Sequence, residues 1–499
     1  MNKFKNNPII KLLKLLKGSF VGNTDAYKQS HYLMYQEKTT HISSYIEPRW
    51  NKEGHAQIMF FGLQIFIKEY LSDQITHEMI NYGEKFWLAN GVPFNRLGWE
   101  IIVNEYNGYI PVRIQALAEG TVHPLGVPQV QVCNVDDHRL KWVAGLIETS
   151  LLRGVWYPSS VATTSWRIKQ VIREFLEETS DIPEIVLPTR LHDFGARGAS
   201  SLETAGIGGC AHVVNFKGSD TSSGILDAMI YYTPEDELVE WLEPKEEKIP
   251  ARSIPASEHG PTTSWGEDRE CDFMENLIVE FGGEGKYFAG VSDSYDLFRA
   301  ITEYWGGRLK TKVMNNGGTL VIRPDSGDPT VIPIQVIEKL GEIFGYTINQ
   351  KGYKVLPNCV RVIQGDGVQE KTIRIILQKL KDLGWSAENI AFGMGGKLLQ
   401  SIDRDTYGYA MKVNAQKIEG SDEWLPVQKK PKTDPMKNSK AGRQAVYGKD
   451  FTVCTEDQLP DGETNLLTDV WNTGVMLVEH RFDDVRVRAD SYRTYKIAA

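Results

Sequence analysis

The chain has 499 residues, 41% of them hydrophobic and 24% charged, and a formal net charge of -9 at pH 7. An acidic chain is a poor general binder of nucleic acid, so any local basic cluster is better matched to a small anion. No apolar run approaches the ~18–20 residues of a membrane span. The five cysteines carry no CxxC pair and the ten histidines no HxxxH pair, which predicts a reducing, cytoplasmic setting and no dedicated metal-ligand set.

Residues 2–20 place five lysines among Ile9, Ile10, Leu12, Leu13, Leu15 and Leu16. Lysines interrupt every apolar pair, so the segment lacks the unbroken core of a signal peptide and is expected to be an ordinary first helix. Helical spacing follows over 57–71, 76–90 and 97–106, whereas Ile110, Val112, Ile114 and Ala116 alternate with polar neighbours as in a half-exposed strand. This predicts an N-terminal α+β domain over 1–157. Two helical stretches, about 138–153 and 161–178, then lead into the next domain.

From 190 to 221 the sequence RLHDFGARGASSLETAGIGGCAHVVNFKGSDT has two short apolar strands that stop on charged residues, with a Gly-rich helix between them. The pattern recurs in SIPASEHG (253–260), YFAGVSDSYD (287–296), GTLVIRPDSG (318–327), VRVIQGDG (360–367) and NIAFGMGG (389–396). Seven such strands separated by helical segments predict an irregular seven-stranded α/β barrel over 158–407, with its reactive residues on the C-terminal rim. The charged 234–252 stretch is expected to be a solvated loop. Beyond Arg404 the segments YAMKVNAQKI, EWLPVQKK and AVYGKDFTV look like antiparallel strands. The 408–499 segment is therefore expected to pack back onto the N-terminal domain.

The rim carries Asp193 and Arg197, Lys217 and Asp220, Glu258 and His259, Asp293 and Asp296, and Arg323 and Asp325. Lys217 could form a Schiff base, but its neighbours favour ion pairing. Glycine turns after the last barrel strands let backbone N–H groups approach a phosphate, and Gly365-Asp366-Gly367 and Gly393-Met394-Gly395-Gly396 fit that use, with Arg404 downstream. The basic loop 429–443 is then either a solvated run or a clamp on a diphosphate.

These motifs, with TDAYKQSHY (24–32), closely resemble the nicotinamide phosphoribosyltransferase family of type II phosphoribosyltransferases, in the family's order from about residue 25 to 443. The resemblance implies a homodimer with shared active sites that joins nicotinamide to phosphoribosyl diphosphate for NAD salvage, with Mg²⁺ accompanying the donor and ATP as an optional coupling substrate. It makes His259 the histidine phosphorylated during coupling, and puts Arg323 and Asp325 at the ribose and the reacting carbon. Phe194 and the partner subunit's Tyr27 would sandwich the nicotinamide ring, with Asp25, Arg197 and Asp220 beside it and Asp220 accepting from the carboxamide. Gly365, Asp366, Gly395 and Gly396 would hold the ribose and 5′-phosphate. Arg49, Arg404, Lys412, Lys429 and Lys437 would surround the diphosphate, and Asp296 also falls to this donor side. Two positions depart from the family pattern, Ala196 and Ala410. Within the same family, transfer to ADP-ribose diphosphate and a preference for nicotinate are the alternatives.

Overall fold

The computed structural model describes residues 4–433 and 437–492; residues 434–436 of the basic loop lie outside them. The chain's two ends build one antiparallel sheet. Thr39–Glu47 lies between Ala410–Ile418 and Val130–Asn134, and Val112–Ala116 and Thr468–Asn472 follow on the Val130–Asn134 side. Ile46, Val112, Ile114, Val130 and Val132 are fully buried and join Trp99, Ile102 and Ile80 from the helices His77–Asn90 and Arg96–Glu105. Each such side chain contributes roughly 1.5–3 kcal/mol on burial.

Two expected helix boundaries differ. Residues 57–59 form a strand paired with Val122–Pro124, and the helix begins only at Leu63. Tertiary pairing overrides the helical spacing there, because the Met59 and Phe61 N–H groups are taken by the Thr163 and Ser159 hydroxyls. Most of the two stretches expected over 138–178 is a single helix, Glu148–Thr179, which runs straight through Pro158. The proline ring packs on Gly62, where an added Cβ would lie 2.3 Å from Pro158 Cγ, and the helix continues past the hydrogen bond that proline cannot make.

Six parallel strands are ordered Gly218–Ser219, Leu191–Asp193, Ile390–Met394, Val360–Gln364, Thr319–Arg323 and Tyr287–Val291. The seventh expected strand, around 252–257, closes the ring through two bridges rather than a full ladder. Ser219 N–H donates to the Arg252 carbonyl at 3.0 Å and Ser257 N–H to the Ala289 carbonyl at 2.9 Å. The barrel's inner cluster is small, with Ala289, Val321 and Ile363 packed by Phe194, Ile254 and Ala391. Larger side chains such as Leu191, Leu320, Val362 and Phe392 point outward under the helices.

The first helix, Pro8–Gly18, is capped by Asn7, whose side chain accepts from the Ile9 and Ile10 N–H groups, and it buries Leu16. The 234–252 stretch is largely exposed and contains one 3₁₀ segment, Glu235–Leu242. All five cysteines are free, and no described helix is long and apolar enough to cross a membrane.

Candidate active site

Phe194 immediately follows the strand Leu191–Asp193, and its N–H donates to the Met394 carbonyl at 2.9 Å. Side chains alternate along a strand, so Asp193 faces the outer helices and Phe194 turns into the barrel. The ring lies against Gly393, where an added Cβ would sit 1.9 Å from the ring. The Arg323 guanidinium stands 5.8 Å from the ring centroid, within cation–π range. Gly365 faces the same point, since a Cβ there would lie 3.4 Å from Asp325 Oδ1 and 3.5 Å from both Arg323 Nε and Phe194. Four strand ends thus converge on one aromatic face.

Beside it is a linked group of acids. Arg323 pairs with Asp325 at 3.1 Å. Asp293 Oδ2 accepts from the Asp325 N–H at 2.9 Å and from the Ser326 hydroxyl at 2.6 Å, so it fixes the turn that carries Asp325. The other oxygen of Asp293 is buried without a hydrogen bond. His259 opens the helix His259–Ser264, and its Nδ1 lies 3.0 Å from the Ser294 hydroxyl. Nε2 is then turned toward Asp325 at 3.6 Å and Asp293 at 3.8 Å. A histidine half exposed and oriented this way presents Nε2 beside two carboxylates.

Asp220 ends the strand Gly218–Ser219; its N–H donates to the Asp193 carbonyl at 2.9 Å and its side chain accepts from the Ser253 hydroxyl. Arg197 is exposed, with Glu258 its nearest carboxylate at 3.9 Å. Gly198 and Gly396 bring the first and last rim turns into backbone contact, because a Cβ on Gly198 would lie 2.6 Å from Gly396 Cα. Gly395 has open space where a side chain would be, and Asp366 is exposed on its turn. Asp296 caps the next helix, accepting from the Arg299 N–H at 2.9 Å. Lys217 is exposed.

The diphosphate candidates gather on the antiparallel sheet. Lys412, on the Ala410–Ile418 strand, has its pKa pulled down first by burial and further by Arg49, Lys429 and Arg404, with Glu148 opposing. Arg49 is likewise held below its usual value by burial, and its Nε donates to the Gly408 carbonyl at 2.7 Å. These cations therefore crowd one another around the partly buried Lys412. Lys437 is exposed beside residues 434–436. On the same side of the fold, Asp25 accepts from the Thr149 hydroxyl at 2.7 Å, and Tyr27, 59% exposed, lies tilted against the His31 ring at 5.2 Å between centroids.

Asp293, Ser253 and Ser294 are members of this arrangement that motif reading does not assign to a site. The serines have no sequence signal of their own, but Asp293 stands in the same strand end as Asp296 and competes with it on equal terms.

Residues 189–475 match the nicotinate phosphoribosyltransferase (NAPRTase) family, and residues 19–114 match the nicotinamide phosphoribosyltransferase N-terminal domain. A nicotinamide phosphoribosyltransferase of Xanthomonas campestris pv. campestris is 44% identical over 479 residues, covering 94% of this chain and 98% of that one. The chain belongs to the nicotinamide phosphoribosyltransferase family. A nicotinamide phosphoribosyltransferase of Mycoplasma pneumoniae is 30% identical, covering 84% of this chain and 94% of that one. Two solved structures share the fold at low identity. A nicotinate-nucleotide pyrophosphorylase from Pyrococcus furiosus has a TM-score of 0.59 at 17% identity, with 98% of each chain covered. Human nicotinic acid phosphoribosyltransferase has a TM-score of 0.56 at 16% identity, covering 94% of this chain and 93% of that one. The family's α/β barrel is the ring of strands described above, and its rim is where Phe194, Arg323, Asp325 and Gly365 meet.

Proposed function

We infer that this chain transfers the phosphoribosyl group of 5-phosphoribosyl 1-diphosphate to nicotinamide, giving nicotinamide mononucleotide and diphosphate for NAD salvage. The observation that carries the site assignment is the convergence of Phe194, Arg323, Asp325 and Gly365 on one face at the barrel mouth.

The pyridine ring stacks on Phe194, with its carboxamide toward Asp220. The nitrogen lone pair attacks ribose C1, the C1–O bond breaks, and both of its electrons leave with diphosphate. The sugar passes through a cation-like state, which the Asp325 carboxylate stabilises while cations stabilise the leaving group. No proton need move, so the protein's task is alignment, which a fixed aromatic face and glycine-lined turns supply. An ionised Asp220 accepts from an amide NH₂ and repels the carboxylate of nicotinate.

Mg²⁺ binds through one or two carboxylates plus substrate phosphates. Asp293, with one buried oxygen lacking a hydrogen bond, fits that donor set. When bound there, the ion supplies charge neutralisation at the departing diphosphate. His259 is the site of phosphorylation when ATP is coupled to synthesis.

The cations Arg49, Lys412 and Lys429 and the exposed Tyr27 belong to the N- and C-terminal regions of the fold, and Arg404 stands at the end of the barrel segment beside them. In this reading two subunits pair so that Tyr27 and these cations complete the partner's barrel mouth. Incubation with nicotinamide and either phosphoribosyl diphosphate or ADP-ribose diphosphate, followed by product mass, tests the reaction and the donor together. The mononucleotide mass is expected from the first donor. The dinucleotide mass from the second donor alone would assign the larger donor, and product from nicotinate alone would overturn the base assignment.

A further inference from the structure

One carboxylate near the base pocket has no role in the mechanism above. Asp193 is fully buried, on the outer side of the strand that ends in Phe194. Its Oδ1 accepts from the Gly195 N–H at 2.7 Å, so it fixes the turn that presents Phe194. Its Oδ2 is buried without a well-formed hydrogen bond, and so is the Thr221 hydroxyl beside it; the two act on each other electrostatically. The Asp193 carbonyl also accepts the Asp220 N–H at 2.9 Å. One residue therefore ties the aromatic face to the strand end carrying the amide acceptor.

The surroundings of this carboxylate are closely packed. A Cβ on Gly209 would lie 3.4 Å from Asp193 Oδ2, and one on Gly195 would lie 2.9 Å from both Oδ1 and Leu399. The charged neighbour acting on Asp193 is Asp220, a second carboxylate. Burial pushes the Asp193 carboxyl up to about 6, with the Gly195 N–H and the Thr221 hydroxyl opposing, so it is ionised above neutral pH. An unpaired carboxylate in a dry compartment is costly. The hydrogen bond to Gly195 alone could be made by asparagine. The charge is what remains to be explained.

We propose that Asp193 is a further specificity-determining residue, a buried carboxylate behind the nicotinamide pocket that makes the pocket end more negative and helps Asp220 exclude a negatively charged base. This rests on the assignment of the base to Phe194 and Asp220. Asp193 touches no reacting atom; it acts through the field at the base's carboxyl end and through the two elements it joins. In a low-dielectric compartment a like charge is felt more strongly than across water.

The test is the ratio of kcat/KM for nicotinate to that for nicotinamide, measured in the wild type, Asp193→Asn and Asp220→Asn. Asparagine keeps an acceptor for Gly195 and removes the charge. The ratio is expected to rise by about three- to tenfold in Asp193→Asn, the scale of a half to one pKa unit of coupling, with nicotinate gaining. A purely structural role would depress both bases together and leave the ratio fixed. A fixed ratio in Asp193→Asn with a changed ratio in Asp220→Asn would overturn the proposal and keep the base site. A fixed ratio in both would overturn the base site itself. Should Asp193→Asn not fold, Thr221→Val removes the hydroxyl that favours the ionised form of Asp193, so a rise in the same direction but smaller is expected; an unchanged ratio in folded Thr221→Val also overturns the proposal.

Discussion

Gly393 and Phe194 are fitted so closely that an added Cβ on the glycine would lie 1.9 Å from the aromatic ring. The ring rests on bare backbone, and its own N–H is tied to the next residue, Met394, so it has little freedom to move away. Gly393→Ala must therefore displace Phe194. Overpacking of this kind costs about 1–3 kcal/mol, and the nicotinamide KM should rise more than the donor KM. Steady-state kinetics with each substrate varied, alongside thermal melting, checks this. An unchanged nicotinamide KM in the folded variant would remove Phe194 from the base site.

The Ser253 hydroxyl donates to Asp220, which leaves a carboxylate with remaining acceptor capacity at the pocket end. Asp220→Asn should weaken nicotinamide use by ~1.5–3 kcal/mol, the range for a hydrogen bond to a charged group. Nicotinate should enter more readily. Competition between the two bases, read by product mass, gives the result directly, and an unaltered preference would contradict the role.

The strand ends are legible in the sequence because each inward-facing run is short, apolar and cut off by a charged residue or glycine. That pattern alone places His259, Asp325 and Gly365 on one rim, whereas Phe194 enters the site only through the family resemblance. The closure of the ring is less legible, since the 252–257 segment makes two bridges and not a ladder. Helical spacing splits the 148–179 helix in two, whereas the structure carries it through Pro158, whose ring packs on Gly62 almost a hundred residues earlier in the chain. Asp293 and Asp296 are indistinguishable by motif. The structure separates them, with Asp293 holding the Asp325 turn and Asp296 capping a helix.

The Nδ1 of His259 is engaged by Ser294, so Nε2 is the atom turned toward Asp293 and Asp325. His259→Ala should abolish ATP-dependent stimulation and acid-labile phosphate incorporation while leaving a folded protein that retains ATP-independent synthesis. Ser294→Ala, which frees the ring without removing it, should reduce stimulation less. Full ATP stimulation of His259→Ala would assign the coupling step elsewhere.

Lys412 is disfavoured in its charged form by burial and by Arg49, Lys429 and Arg404. With its pKa depressed in the fold, the lysine costs stability below that folded value, where it is charged in both states, and the cost is largest there. Lys412→Met should therefore raise the melting temperature of the unliganded protein near neutral pH and reduce the stabilisation by added diphosphate. That stabilisation in the wild type should shrink with salt. A lower melting temperature together with an undiminished diphosphate shift would contradict the assignment of this cluster to the donor.

In the proposed assembly the barrel mouth of one subunit and the Tyr27 side of another form a single active centre, and subunit mixing probes this most sharply. Tyr27→Ala and Asp325→Ala should each be nearly inactive alone. After equal mixing and subunit exchange, verified by mass-tagged chains, about half the dimers are mixed and each holds one intact site, so about a quarter of wild-type activity should return. Activity that stays at the level of the parent variants, with exchange confirmed, would contradict the shared centre.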